Sequence, residues 1–292
     1  MGGVRVLMLE GTMSQRFIAV TLATVLFGCA AAGSATAAQP VDLELALAVD
    51  VSSSIDAEEA QLQRNGYVAA LGHPEVIRAI EGGILGRVAI MYYEWAGDEH
   101  LHVIAPWTVI DGSDSMRGFA QKIATAPVRT APRTSIANAI EFALPQFRDN
   151  AFEGTRQVID ISGDGPNNGR TEILEARGKA IAAGVTINGL PIVNGRGDPA
   201  GYLPLPNVDL YYRDCVIGGP GAFLVVANSF KEFGLAIRRK LITEIAGLPP
   251  APAMAAAHGI RPLPPGPRLV LAAGLPRTCD FGPMTWQDLG IH

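Results

Sequence analysis

The triplet Asp50-x-Ser52-x-Ser54 places one carboxylate and two hydroxyls at alternate positions of this 292-residue chain. All three are hard oxygen donors, which suit Mg²⁺ or Mn²⁺ better than they suit nucleophilic chemistry. Two further segments offer matching donors. Thr134 opens Thr134-Ser135-Ile136-Ala137-Asn138-Ala139-Ile140, where a polar loop turns into an amphipathic helix. Asp164 closes Ile159-Asp160-Ile161-Ser162-Gly163-Asp164-Gly165, an apolar strand ending in an acid between glycines. Two carboxylates and three hydroxyls, some acting through water, match an octahedral cation that keeps several waters. Such a set leaves a coordination position for an acidic group from outside.

These donors converge only if the chain folds to bring strand ends together. Leu45-Ala46-Leu47-Ala48-Val49 is near-continuously apolar, as a strand buried on both faces requires. Strand and helix signals then alternate from Val41 to about Gly247, the pattern of a mostly parallel α/β sheet with helices on both faces. Asp56-Ala57-Glu58-Glu59 reads as a capping box opening a helix through about Leu71. Val88–Tyr93 reads as a strand with His100–Ile104 as its antiparallel or edge neighbour. Helices are expected over Ser115–Ala124, Ser135–Phe147 with Pro145 in its last turn, and Glu172–Ala183. Strands are expected over Val158–Ile161, Val185–Val193 and Phe223–Ala227, and Asn228-Ser229 caps a last helix to Ile245. In open α/β sheets ligands bind outside the carboxyl ends of the strands, which is where Asp50 and Asp164 fall.

The ordered set resembles the metal-ion-dependent adhesion site of von Willebrand factor type A domains: Asp-x-Ser-x-Ser, then a Thr, then an Asp before Gly. The likeness extends over about Val41 to Ile245, and its style is also similar to a bacterial secreted branch of that family with no assigned function. It implies a Rossmann-like, doubly wound sheet and a divalent cation, Mg²⁺ with Mn²⁺ or Ca²⁺ as alternatives, at Asp50, Ser52, Ser54, Thr134 and Asp164. It further implies a protein partner that presents an Asp or Glu to the metal. Two departures stand out. The interval from Ser54 to Thr134 is long for the family, which keeps Thr130 as a fallback ligand. Many members have Thr-Asp-Gly where this chain has Gly163-Asp164-Gly165, so a hydroxyl beside the ligands is missing. The competing structural reading is that Asp50 and Ser52 cap a helix while Asp164 makes a turn.

Enzymatic readings fare less well. A haloacid-dehalogenase-like phosphatase needs a second Asp two residues after the first, where Ser52 stands. No Gly-x-Ser-x-Gly elbow, Gly-x-Gly-x-x-Gly or Walker motif occurs. The alternative that survives is a periplasmic hydrolase using the same metal to activate water, with Asp160 and Glu94 nearby. His100-x-His102 could pair two imidazoles on one strand face, as any exposed alternating strand would. Tyr92, Tyr93, Glu94 and Trp95 sit at a strand end, as rim of a binding face or as core. Arg196-Gly197-Asp198 lies in a Gly/Pro loop. Phe142, Phe147, Phe230 and Phe233 fall at helical spacings and read as core.

The bulk properties set the compartment. Arg16 precedes a charge-free apolar run, Phe17 to Ala32, and Ala35-Thr36-Ala37 is a small-x-small pattern, so residues 1–37 read as a secretory signal peptide, with Met13 a credible start. The run is short for a membrane span. Leu26-Phe27-Gly28-Cys29 resembles a lipobox, which makes a lipid anchor on Cys29 the alternative to simple cleavage. A periplasmic or secreted location follows. Of the three cysteines, Cys215 and Cys279 would remain, and an oxidising compartment favours their pairing over two unrelated thiols. The 23 basic and 28 acidic side chains give a net charge of −5 with no basic block, which argues against nucleic acid and anionic membranes. Residues 41–247 have the length of one domain. Residues 248–292, Pro/Ala-rich at first, read as a tail that the disulfide ties back.

Overall fold

The computed structural model describes residues 37–193, 207–247, 268–271, Cys279 and the isolated Gly2. The segments read as a signal peptide and a lipobox, Arg196-Gly197-Asp198 and the Pro/Ala-rich stretch lie outside the described residues.

The core is a seven-stranded sheet. Inside it runs β2 (Glu44–Asp50), every residue of which is buried. β3 (Val88–Trp95) pairs parallel to one side of β2 and β6 (Gln157–Gly163) parallel to the other. β4 (Leu101–Ile110) adds antiparallel to β3, while β7 (Thr186–Pro191) and β8 (Phe223–Val226) continue in parallel beyond β6. β9 (Arg268–Leu271) closes the far edge antiparallel to β8. A separate two-stranded pairing joins β1 (Gln39–Val41) to β5 (Phe152–Gly154). The fold is a doubly wound, Rossmann-like α/β architecture. The chain leaves β2 for β3 on one side and returns on β6 at the other, so strand order reverses beside β2. The crevice at that switch point opens at the carboxyl ends of β2 and β6.

Side-chain alternation along β2 sorts the two layers. Leu45, Leu47 and Val49 face a core shared with Tyr67 of α1 (Ala57–Leu71), Ile77 of α2 (Pro74–Glu81), Phe119 of α3 (Ser113–Thr125) and Phe233 of α7 (Phe230–Ile245). Ala46 and Ala48 face the other core, against Ala137, Ala139 and Ala143 of α4 (Ile136–Arg148) and Ala176 and Ala180 of α5 (Ile173–Ala182). The first layer buries large aliphatic side chains, each contributing about 1.5–3 kcal/mol when fully buried. In the second, the alanines of β2, α4 and α5 sit among large side chains such as Trp95, Phe147 and Ile159.

Helix starts follow the sequence. Asp56 caps α1 through Glu59 N–H (2.8 Å), and Glu59 returns the bond to Asp56 N–H (3.2 Å), a complete capping box. Ser229 caps α7 by accepting from Glu232 N–H. Between β7 and β8 the chain makes a short helix α6 (Val208–Tyr211) that passes into a π-helical turn, Tyr212–Val216. Cys215 in that turn is bridged to Cys279, and both are buried. Among the described residues no helix is long and apolar enough to cross a membrane.

Candidate metal centre

Asp50 is the last residue of β2 and is fully buried. Its carbonyl accepts from Gln63 Nε2 of α1 (2.9 Å), so the helix fixes the strand end. The chain then turns back on itself, and Ser52 N–H donates to Asp50 Oδ1 at 2.7 Å. Ser52 Oγ and Ser54 Oγ are hydrogen-bonded at 3.0 Å, and Ser54 Oγ donates to Asp164 Oδ1 at 2.7 Å. The first triplet and the acid after β6, 110 residues apart in sequence, therefore form one continuous polar chain. The cap of α1 is Asp56, not Asp50 or Ser52, so the helix-capping reading of these residues does not apply.

Thr134 arrives on the strap between α3 and α4. Ala131 on that strap bridges to Ser52, and Ala131 N–H donates to Val51 C=O. Arg64 of α1 grips the strap's start, donating to the carbonyls of Ala126 and Pro127 while forming a bidentate pair with Glu94. Asn168 holds the strap's end: its Oδ1 accepts from Thr134 N–H (2.8 Å), and its own N–H donates to Thr134 C=O (2.7 Å). A Cβ built on Gly165 would lie 3.7 Å from Thr134 Oγ1, which puts that hydroxyl beside the Asp164 loop. Thr134 is buried whereas Thr130 is exposed, so the geometry favours Thr134 over its fallback. Arg133, the preceding residue, has φ 70°, a left-handed conformation that a non-glycine side chain rarely adopts.

The floor of this cluster is dry and its mouth is open. Asp50 and Ser52 are buried, while Ser54, Asp164 and Gly165 are half-buried. Burial pushes the Asp50 carboxyl well above the usual carboxylate range, and the charge of Asp164 pushes it further; hydrogen bonds from Ser52 and the Asp164 backbone oppose this. Asp50 Oδ2 has no hydrogen-bond partner among the described residues. A divalent cation would invert this unfavourable balance, because two neighbouring carboxylates then face a positive charge. The donor chemistry fits one: two carboxylates and three hydroxyls, all hard oxygen donors. No group of three or more His, Cys, Asp or Glu suited to a metal exists among the described residues, so the hydroxyls are indispensable to such a site.

Other residues singled out from the sequence fall elsewhere. Glu94 is tied to Arg64 in a buried pair (2.8 Å), and Asp160 contacts Lys240 Nζ of α7 at 2.6 Å inside the core. Both carboxylates are engaged by a basic side chain, which leaves Asp50 and Asp164 as the acids on which the hydrolase reading rests. His100 and His102 stack edge to face at 4.5 Å, with no third ligand among the described residues. Tyr92, Tyr93 and Trp95 are fully buried core residues, and Tyr93 OH donates to Ala139 C=O. Sequence reading missed Tyr212, whose fully buried hydroxyl also has no hydrogen-bond partner among the described residues and stands close to Asp50. The only trace of it in the sequence is a pair of glycines, Gly163 and Gly189, placed where strands should carry side chains.

Residues 40–249 match the model of a family described as a protein of unknown function, DUF1194. No curated protein matches the chain. Among solved structures, proximal thread matrix protein 1 from the mussel byssus superposes with a TM-score of 0.51 at 16% identity, covering 72% of this chain and 49% of that one. The pilus adhesin SpaC from Lactobacillus rhamnosus GG gives 0.52 at 12% identity, covering 71% of this chain and 31% of that one. A von Willebrand factor type A structure from Catenulispora acidiphila gives 0.45 at 13% identity, covering 70% and 43%. The chain thus spans about half the length of the mussel protein and about a third of the adhesin. At these identities the first two likenesses speak to the fold alone.

Proposed function

From a chain that belongs to the DUF1194 family and carries a von Willebrand factor type A fold, we propose a metal-dependent binding module of the periplasm or the extracellular space. Mg²⁺, with Mn²⁺ or Ca²⁺ as substitutes, would be held by Asp50, Ser52, Ser54, Thr134 and Asp164, and a partner protein would supply an Asp or Glu to its open side. The observation that carries this reading is the hydrogen-bonded run Asp50–Ser52–Ser54–Asp164 at the sheet's switch point, with a buried and unpartnered Asp50 Oδ2 at its base. Charge on the surrounding loops supports an anionic partner. In a chain of net charge −5, the exposed Arg129 and Arg133 lie on the strap that delivers Thr134, and the exposed Arg170 follows the Asp164 loop. The Cys215–Cys279 bridge and the apolar run Phe17–Ala32 support placement outside the cytoplasm.

Calorimetric titration of Mg²⁺ and of Mn²⁺ into EDTA-stripped protein tests the site. One saturable event in wild type, abolished in both Asp50→Ala and Asp164→Ala, is expected. Equal heats in wild type and both variants would refute it.

A further inference from the structure

Gly163 ends β6 next to Asp164, and the space where its side chain would stand is already taken. A Cβ built there would lie 2.7 Å from Asp50 Oδ2 and 2.7 Å from Tyr212 Oη. These are two of the buried polar atoms that find no hydrogen-bond partner among the described residues, and they border the same point in space. Two unsatisfied, fully buried groups side by side are costly unless they serve each other, directly or through one water. The sequence has cleared the way for this approach twice. Gly163 makes room for the hydroxyl, and at Gly189 of β7 a Cβ would sit 3.0 Å from Tyr212 Cδ1, so the ring also needs a glycine to pass the sheet. Tyr212 starts the π-helical turn Tyr212–Val216, and Ile217 N–H donates to its carbonyl. Turns of this kind are rare and concentrate at functional sites.

We propose that Tyr212 is the positioning partner of Asp50: its hydroxyl, brought in from the π turn, occupies the place of a side-chain hydroxyl at position 163 and donates to Asp50 Oδ2. The phenol does not ligate the metal. It fixes the carboxylate so that Oδ2 keeps one orientation beneath Ser52, Ser54 and Asp164. The consequence for metal affinity rests on the binding-module reading above, whereas the contact itself does not.

The test has a metal-free arm and a metal arm. In EDTA, a double-mutant cycle over Tyr212→Phe and Asp50→Asn, read by denaturant unfolding, reports the contact alone. Non-additivity of about tenfold in the unfolding equilibrium is expected, and strict additivity would overturn the proposal. In the second arm Mn²⁺ affinity is compared between wild type and Tyr212→Phe. Loss of a group that orients a ligand typically costs about 10–100-fold in affinity. The phenylalanine variant should weaken by that factor. A phenylalanine variant that binds Mn²⁺ as tightly as wild type overturns the proposal. Coupling in EDTA with no Mn²⁺ binding by wild type would support the contact and sink the metal reading instead.

Discussion

Asp50 illustrates how a residue can be wrong for stability and right for binding. It is a carboxylate at the dry floor of a crevice, beside a second carboxylate and with one oxygen unpartnered among the described residues. Without a cation, desolvation and like-charge repulsion both act against the folded state. Asp50→Asn keeps the shape and removes the charge, so in EDTA it should raise stability by about 1–2 kcal/mol, within the range of ordinary stabilising substitutions. With metal the order should reverse. Wild type gains about 2.7 kcal/mol at a metal concentration of 100 Kd, and the asparagine variant gains nothing. Thermal melts of both proteins with EDTA and with excess Mg²⁺ check the crossing. A variant that melts below wild type in EDTA would mean that the charge is already satisfied within the protein.

Elements couple through groups that the sequence disguises. Lys240 and Glu244 look like an i, i+4 pair on the polar face of α7, yet both are buried, and Lys240 Nζ bridges Glu244 Oε1 (2.5 Å) and Asp160 Oδ1 (2.6 Å) of β6. Asn188 of β7 donates to the same Glu244, so one helix is bolted to two strands. Burial and the charge of Glu244 raise Asp160 to about 7, with Lys240 opposing. The folded state therefore holds a proton that the unfolded chain releases near the ordinary aspartate value. The stability this confers is complete below that value and is lost as pH rises through about 7. Wild type should lose stability between about pH 4 and pH 7, and Asp160→Asn should flatten the slope, as denaturant midpoints across the range would show. Lys240→Met leaves the buried Glu244 carboxylate without its cation and should cost about 3–5 kcal/mol. Strand and helix order, both helix caps and the strand-end position of Asp50 and Asp164 were legible because each is a local signal: period, cap residue, apolar run. The pairing of β1 with β5, the π turn and β9 were not. Three- and four-residue strands carry too little periodicity, and Arg268–Leu271 follows a Pro/Ala-rich composition that hides it. Tyr212 was invisible for a different reason, since its meaning lies in two glycines that are distant in sequence and adjacent only in the sheet.

At the scale of the whole molecule, the segment beyond α7 returns to close the sheet. β8 has four residues and would be an open edge, and pairing with β9 covers it. The bridge from Cys215 to Cys279 spans 64 residues and fastens the same segment to the π turn. Closing a loop of that size typically contributes about 2–4 kcal/mol by restricting the unfolded chain. The turn has Cys215 near one end and Tyr212 at the other, so the cross-link and the candidate metal centre share one short element. Breaking the bridge should then act twice. Replacing both cysteines by alanine should lower stability by about 2–4 kcal/mol. It should also weaken Mn²⁺ binding in the direction of the Tyr212→Phe variant, because a slack turn no longer presses the phenol against Asp50. Urea unfolding measures the first effect and calorimetry the second. A loss of stability with unchanged Mn²⁺ affinity would mean that packing over Gly189 alone seats Tyr212, and that the disulfide serves only to hold the returning strand.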